Sequence, residues 1–216
     1  RPHVGKKKIL KLDIEGFFDH ILYSRVKDTV FYEEKYSESI RILLTMLCYY
    51  NDSLPQGAPT SPAITNIIMY DFDETVGTFC NEKNIAYTRY CDDMTFSGCF
   101  DEREIISFVK GELRKLGLFL KNRKTAVISA SKRQVVTGIV VNEKMNVTKD
   151  YKKTIRQEIY YIKKFGLDEH LKRLGISGKQ QYVLSLKGRI AFVLQTIPNN
   201  CEFIEYKNFL DSIRIW

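Results

Sequence analysis

The apolar positions of this chain change period as it runs, and each change predicts an element. Lys8-Ile9-Leu10-Lys11-Leu12-Asp13-Ile14 is rich in β-branched and aliphatic residues and reads as a buried strand. Helical spacing is expected over 17–33 and again over 38–49. Residues 51–59 contain Pro55, Gly57 and Pro59 and read as a loop. Thr60 or Ser61 then stands where a helix N-cap belongs, with Pro62 suited to the first turn; that helix should run to about Cys80. Tyr87-Thr88-Arg89-Tyr90 and Met94-Thr95-Phe96-Ser97 are strand formers, so Cys91-Asp92-Asp93 between them predicts a hairpin with two acids at its turn. Asp101 to Leu116 returns to helical spacing, and Thr125 to Ser129 is a short strand. Gly138 divides two β-branched runs within 135–141, which predicts a second hairpin or a bulge.

From Asp150 the period becomes helical and stays so. Ile155, Ile159 and Ile162 fall at i, i+4 and i+7. Leu186, Ile190, Val193 and Ile197 extend that spacing to i+11, and Tyr206, Phe209, Leu210 and Ile213 repeat it. The pattern predicts an α+β domain over 1–149 followed by a small helical domain over 150–216.

Composition narrows the classes. With 216 residues, 44% of them hydrophobic, the chain can bury a proper core. It has no run of about 18 uncharged apolar residues, so no transmembrane helix is expected. Arg1-Pro2-His3-Val4-Gly5-Lys6 lacks the apolar stretch of a signal peptide and an initiator Met, so a fragment of a longer chain is expected. Cys48, Cys80, Cys91, Cys99 and Cys201 are odd in number and form no C-x-x-C pair, which argues against a disulfide framework or a zinc site and for free thiols in a cytoplasmic protein. A net charge of +8 favours a polyanionic partner. From Tyr151 onward 12 Lys or Arg face 6 Asp or Glu, so most of the excess sits in the last third.

Three carboxylates carry the candidate chemistry. Asp13 lies in an otherwise apolar strand, where an isolated charge costs several kcal/mol, so it must be paired, metal-bound or at the strand's exposed end. Asp92 and Asp93 alone read as wet turn residues. Together, an acid ending one strand and an acid pair on a hairpin can converge on one sheet edge. Carboxylates so crowded repel unless divalent cations neutralise them. Oxygen donors without nearby His or Cys point to Mg²⁺. Two Mg²⁺ ions roughly 3.5–4 Å apart are the arrangement for in-line nucleotidyl transfer.

Four stretches resemble the reverse transcriptase family in order and spacing. Lys11-Leu12-Asp13-Ile14-Glu15-Gly16-Phe17-Phe18-Asp19 is similar to its first catalytic motif, and Leu54-Pro55-Gln56-Gly57-Ala58-Pro59-Thr60-Ser61-Pro62 to its L-P-Q-G-x-P-x-S-P motif. Tyr90-Cys91-Asp92-Asp93 resembles the Y-x-D-D box, and Leu116-Gly117-Leu118-Phe119-Leu120 with Lys124-Thr125 the next block. Val136-Thr137-Gly138 and the Ala-Pro-Thr-Ser-Pro form of the second motif resemble the bacterial retron branch. The resemblance is strong over Lys6 to Val141 and looser beyond.

It implies a polymerase palm, an antiparallel sheet with packed helices, followed by an α-helical thumb. By resemblance Asp13, Asp92 and Asp93 form the metal-binding triad, with the Ile14 carbonyl as a further ligand and two Mg²⁺ ions as cofactors (Mn²⁺ as a possible substitute). Phe18 matches the ring that excludes a ribose 2′-hydroxyl; Phe17 and Phe18 as core is the plain alternative. Gln56 and Gly57 match the segment lining the incoming deoxynucleoside triphosphate, and Lys124 stands where a cation meets phosphate, or is a solvated lysine. Tyr90, Cys91, Val136, Thr137 and Gly138 match the primer-holding region; a plain β-hairpin is the alternative for the last three. Cys91 departs from the alanine more usual in bacterial relatives. Arg89 either pairs with a carboxylate or touches phosphate. Lys152, Arg156, Lys163, Lys187 and Arg189 lie on the basic helical end, suited to an RNA–DNA hybrid or to a solvated face.

The resemblance further implies an RNA-directed DNA polymerase in the bacterial cytoplasm that copies its own structured RNA into RNA-linked DNA for anti-phage defence, with an effector protein and no membrane. The fingers that precede the palm in that family have no counterpart here, so weak activity or none is expected from this chain alone. Other branches, group II intron-like or phage-defence, a palm module that only binds RNA, and a nucleotide cyclase stay open.

Overall fold

A computed structural model describes residues 1–213. It divides into two compact units, residues 6–132 with Pro2 and residues 133–213 with Arg1 and 3–5. The division falls before the boundary expected at 149/150.

In the first unit, β1 (Lys8–Asp13), β2 (Ala86–Tyr90), β3 (Asp93–Gly98) and β4 (Ala126–Ser129) form one sheet in the order β2-β3-β1-β4. All its pairings are antiparallel. The expected hairpin forms, with Ala86 paired to Ser97 and Tyr90 to Asp93. One face of the sheet is closed by α4 (Tyr70–Glu82) and α5 (Glu102–Lys115). Leu10 and Leu12 of β1 and Met94 and Phe96 of β3 share a core with Phe72, Val76 and Cys80 of α4 and Ile105, Val109 and Leu113 of α5. Both helices bury one stripe at three- to four-residue spacing, and Phe79 stacks on Phe108 between them at 4.0 Å. Asp101 caps α5 by accepting from the Arg103 N–H.

Three elements depart from expectation. The helix expected over 17–33 is only α1 (Tyr23–Thr29). Gly16 is left-handed at φ +52°, and residues 15–20 are turns that bury Phe17 and later Ile21. Their four-residue separation imitates helical spacing. The second expected helix forms as α2 (Glu38–Cys48), but it buries Arg41 and Thr45 while Leu43, Met46 and Leu47 face outward. The helix expected from 60 to 80 is two, α3 (Thr60–Ile68) and α4, because Met69 leaves helical geometry at ψ 3°. Neither Thr60 nor Ser61 caps α3; Pro59 occupies the cap position, and Ser61 Oγ instead donates to the Pro55 carbonyl at 2.8 Å, tying the preceding loop.

The second unit joins a three-stranded sheet, β5 (Val135–Val136), β6 (Ile139–Val140) and β7 (Asn146–Val147), to four helices: α6 (Lys149–Phe165), α7 (Leu167–Leu174), α8 (Lys179–Thr196) and α9 (Cys201–Ser212). Thr137 and Gly138, both with positive φ, make the two-residue turn between β5 and β6, so the hairpin reading holds over the bulge. The predicted apolar positions pack together: Ile155, Ile159 and Ile162 meet Leu186, Ile190, Val193 and Leu210.

Candidate active site

Two adjacent strands deliver the three carboxylates. Asp13 closes β1 and Asp93 opens β3, and the two are cross-strand partners. Asp92 sits in the turn before β3. The backbone around them is pinned on both sides. Ile14 N–H donates to the Asp92 carbonyl at 3.1 Å, and Lys121 N–H donates to the Asp13 carbonyl at 2.8 Å. Ile14 also bridges to Leu120. Thus the segment after β1 is wedged between the hairpin turn and the segment after α5.

Like charges opposite each other on one sheet face are unfavourable. The cost appears on Asp93, whose carboxyl is pushed above its usual range by partial loss of solvent, then by the charges of Asp92 and Asp13, with Lys124 opposing. Asp13 is 3% exposed and meets Lys124 Nζ at 2.5 Å through Oδ2. That ammonium, 54% exposed, is held above its usual range by the Asp13 carboxylate.

The donor chemistry suits a hard divalent cation: oxygen only, crowded, with a repulsion that such an ion would relieve. As the side chains stand, no three His, Cys, Asp or Glu among the described residues are grouped closely enough to hold one. Lys124 engages Oδ2 of Asp13, so a cation bound through that oxygen would compete with this ammonium.

The remaining predicted positions distribute around this edge. Phe17 is core, while Phe18 is half-buried beside it, ring centroids 5.4 Å apart. The Phe18 carbonyl accepts from Leu54 N–H at 3.4 Å, which tethers the loop carrying exposed Gln56 and Gly57 to the segment after Asp13. Gly57 has φ +90°, a conformation that favours glycine. Tyr90 is 70% exposed at the end of β2. Cys91 adopts φ +52°, which costs a non-glycine residue roughly 1 kcal/mol.

Arg89 is paired with a carboxylate. Its partner, Asp73 on α4, went unnoticed in the sequence. An arginine inside a strand beside the acid pair calls for a buried acid, and the acidic first turn of α4, Asp71 and Asp73, was the available signal. Tyr87 donates to the same Asp73 at 2.7 Å.

In the second unit Val136 is buried in β5, and Thr137 and Gly138 form the β5–β6 turn. Most predicted contact cations are already engaged. Arg156 pairs with Glu202 at 2.7 Å and Lys187 with Asp211 at 2.7 Å. Arg189 grips Glu158 with two arms at 2.6 and 2.7 Å. Lys152 donates to Asn146, and Lys163 lies over the Tyr206 and Phe209 rings.

Comparison with known proteins agrees with this architecture. The family model described as "Reverse transcriptase (RNA-dependent DNA polymerase)" matches residues 1–153. Retron Ec86 reverse transcriptase of Escherichia coli is 30% identical over 196 residues, covering 89% of this chain and 57% of that protein. Retron Ec83 reverse transcriptase, also from Escherichia coli, is 29% identical, covering 95% and 67%. Retron Mx65 reverse transcriptase of Myxococcus xanthus is 27% identical, covering 74% and 42%. The chain therefore spans between about two fifths and two thirds of the length of these relatives.

Proposed function

We propose that this chain, which belongs to the reverse transcriptase (RNA-dependent DNA polymerase) family, forms the palm and thumb of an RNA-directed DNA polymerase of the retron type. The observation that carries this reading is the cross-strand pairing of Asp13 with Asp93, with Asp92 at the adjoining turn. Three relatives named as retron reverse transcriptases support the branch.

Asp13, Asp92 and Asp93, with the Ile14 carbonyl, would hold two Mg²⁺ ions (or Mn²⁺). Such ions, when bound, lower the pKa of an attacking 3′-hydroxyl and stabilise the departing pyrophosphate. The residues do the rest. The backbone hydrogen bonds at Asp13, Ile14 and Asp92 hold the main chain that carries the acids in register, which leaves the carboxylate side chains and Lys124 to rearrange. Lys124 leaves Asp13 and meets the triphosphate. Phe18 excludes a ribose 2′-hydroxyl from the incoming deoxynucleotide, and Gln56 and Gly57 line its pocket. Tyr90 and Cys91 in the first unit contact the primer, and in the second unit the segment Val136-Thr137-Gly138 is a primer-contacting segment of its own. Lys152, Arg156, Lys163, Lys187 and Arg189 form a basic thumb for the RNA–DNA hybrid. The polymerase copies its own structured RNA in the bacterial cytoplasm, in anti-phage defence with an effector protein.

Primer extension tests this with the full chain and Mg²⁺, beside an Asp92→Asn/Asp93→Asn control. Deoxynucleotide incorporation that the control abolishes is the expected result. Synthesis that begins only when the co-transcribed RNA is supplied selects the retron branch. Retained RNA binding with no incorporation on any template would overturn the polymerase reading in favour of an RNA-binding module.

A further inference from the structure

Arg89 does more than neutralise an acid. Its side chain is 4% exposed, on β2 one residue before Tyr90. Nε and Nη2 hold the Asp73 carboxylate of α4 at 2.9 and 2.6 Å. Nη2 also reaches Asn66 Oδ1 on α3 at 3.3 Å. The third arm, Nη1, turns the other way and donates to the Cys91 carbonyl at 3.0 Å. Burial obliges that arm to find an acceptor, and the acceptor it finds is the carbonyl immediately before Asp92.

Cys91 is the residue that makes the acid turn left-handed, at φ +52° without being glycine. Such a conformation persists only where the surroundings over-determine it. The Arg89 arm on its carbonyl supplies that constraint, and the guanidinium is itself immobilised by Asp73, which Tyr87 also holds at 2.7 Å. The chain of contacts therefore runs from α4 and α3, through Arg89, to the backbone immediately before Asp92. Because α3 follows the loop that carries Gln56, the same clamp ties that loop's helix to the turn.

We propose that Arg89 is a positioning residue for nucleotidyl transfer: anchored on Asp73 and Asn66, it holds the Cys91 carbonyl and thereby aims Asp92 and Asp93. The inference rests on the polymerase reading, and its test separates the two.

Two variants of the full chain decide it. Arg89→Lys keeps a positive charge beside Asp73 but loses the planar fork that serves Asp73 and Cys91 together. The pair Arg89→Met/Asp73→Leu replaces the ion pair by apolar side chains, an exchange whose main cost is the Tyr87 hydroxyl left without its acceptor, and nothing reaches the Cys91 carbonyl. Each is measured by thermal melting, by steady-state extension and by Mn²⁺ titration followed by electron paramagnetic resonance. The double variant stays folded with a modest drop in melting temperature from the Tyr87 hydroxyl, its kcat falls about 10- to 100-fold with KM for the deoxynucleotide unchanged, and its Mn²⁺ affinity falls about 10-fold. Arg89→Lys shows the same pattern. A folded double variant with wild-type kcat and Mn²⁺ affinity overturns the proposal. If the double variant melts far below the wild type, Arg89→Lys decides on the same readouts, and unchanged values overturn it. Full-length wild-type protein that extends no primer overturns the polymerase reading instead, while the Mn²⁺ titration still tests the clamp.

Discussion

Both units pair cations with acids, as Arg41 with Asp28 and Arg89 with Asp73 in the first, but the first also leaves acids crowded together. In the first, three acids crowd one sheet edge, and partial loss of solvent together with the charges of Asp92 and Asp13 raises the Asp93 carboxyl. In the second, cations and acids are matched across helices: Arg156 with Glu202, Lys187 with Asp211, Arg189 with Glu158. Repulsion only partly relieved, by Lys124 on Asp13, marks a place where the fold accepts a cost for chemistry, whereas matched pairs without such crowding mark a scaffold. The sheet edge should therefore govern activity and the helical unit stability.

The largest effect expected breaks the comparison at the acids. Asp13→Asn, Asp92→Asn or Asp93→Asn should each lower primer extension at least about a thousand-fold, roughly 4 kcal/mol of barrier, with little loss of melting temperature. Comparable residual activity in any of the three would mean that this edge is not the reacting centre.

A smaller but structural effect lies in the second unit. Glu158 accepts two bonds from Arg189 and one from Tyr182, whose hydroxyl is 2.9 Å from buried His170 Nε2. Glu158→Ala strips the acceptor from this network and leaves a largely buried guanidinium unpaired. About 2–4 kcal/mol of stability should be lost, seen as lower melting and faster hydrogen exchange in α6 and α8 before any change at the sheet edge. An unshifted melting curve would show that the network is not holding those helices.

The same contrast has a sign in pH. Asp93 is shifted upward, so its ionisation costs folding stability; that cost disappears as pH falls through its raised folded value toward the unfolded 3.8. Glu158 is shifted downward. Burial opposes this, but the bonds from Arg189 and Tyr182 outweigh it. Its stabilisation is complete above the unfolded value of 4.5 and is lost as pH falls through its lower folded value. Acidification should therefore relieve the sheet edge while loosening α6 and α8, and metal-free Asp93→Asn should melt higher than wild type at neutral pH. Hydrogen exchange resolved by segment, from neutral pH to about pH 3, reads both. Parallel loosening of both units would remove the electrostatic distinction.

How much of this was legible depends on the range of the signal. The acids were readable because each violates its local context: Asp13 interrupts an apolar strand, and Asp92-Asp93 sit between strand formers. The Thr137-Gly138 turn was readable for the same reason. What was lost involves longer range. Phe17 and Ile21 share helical spacing, yet the core draws them inward from a turn. Ser61 has the chemistry of a cap, but the Pro55 carbonyl claims its hydroxyl. Arg156 and Glu202 are 46 residues apart, and Arg189 and Glu158 are 31 apart, so no local pattern announces that these cations are paired. Residues 133–147 look like a continuation of the first domain by their strands, but they pack with the helical unit.

That pairing gives the smallest expected effect and the sharpest test of the basic end. Lys153 and Lys172 have no ion-pair partner among the described residues, whereas Arg156 and Lys187 do. A cation that already neutralises a carboxylate must give up that partner to meet a phosphate, so it releases less free energy on binding. Each unpaired lysine in contact with nucleic acid should carry close to one released counterion; its replacement by alanine should lower the slope of log affinity against log salt by about 0.7–0.9. Arg156→Ala and Lys187→Ala should change that slope less and melting more. Measured on an RNA–DNA hybrid with the full chain, the reverse order would mean that the observed ion pairs open on binding, and that the second unit stores its contact charges in pairs.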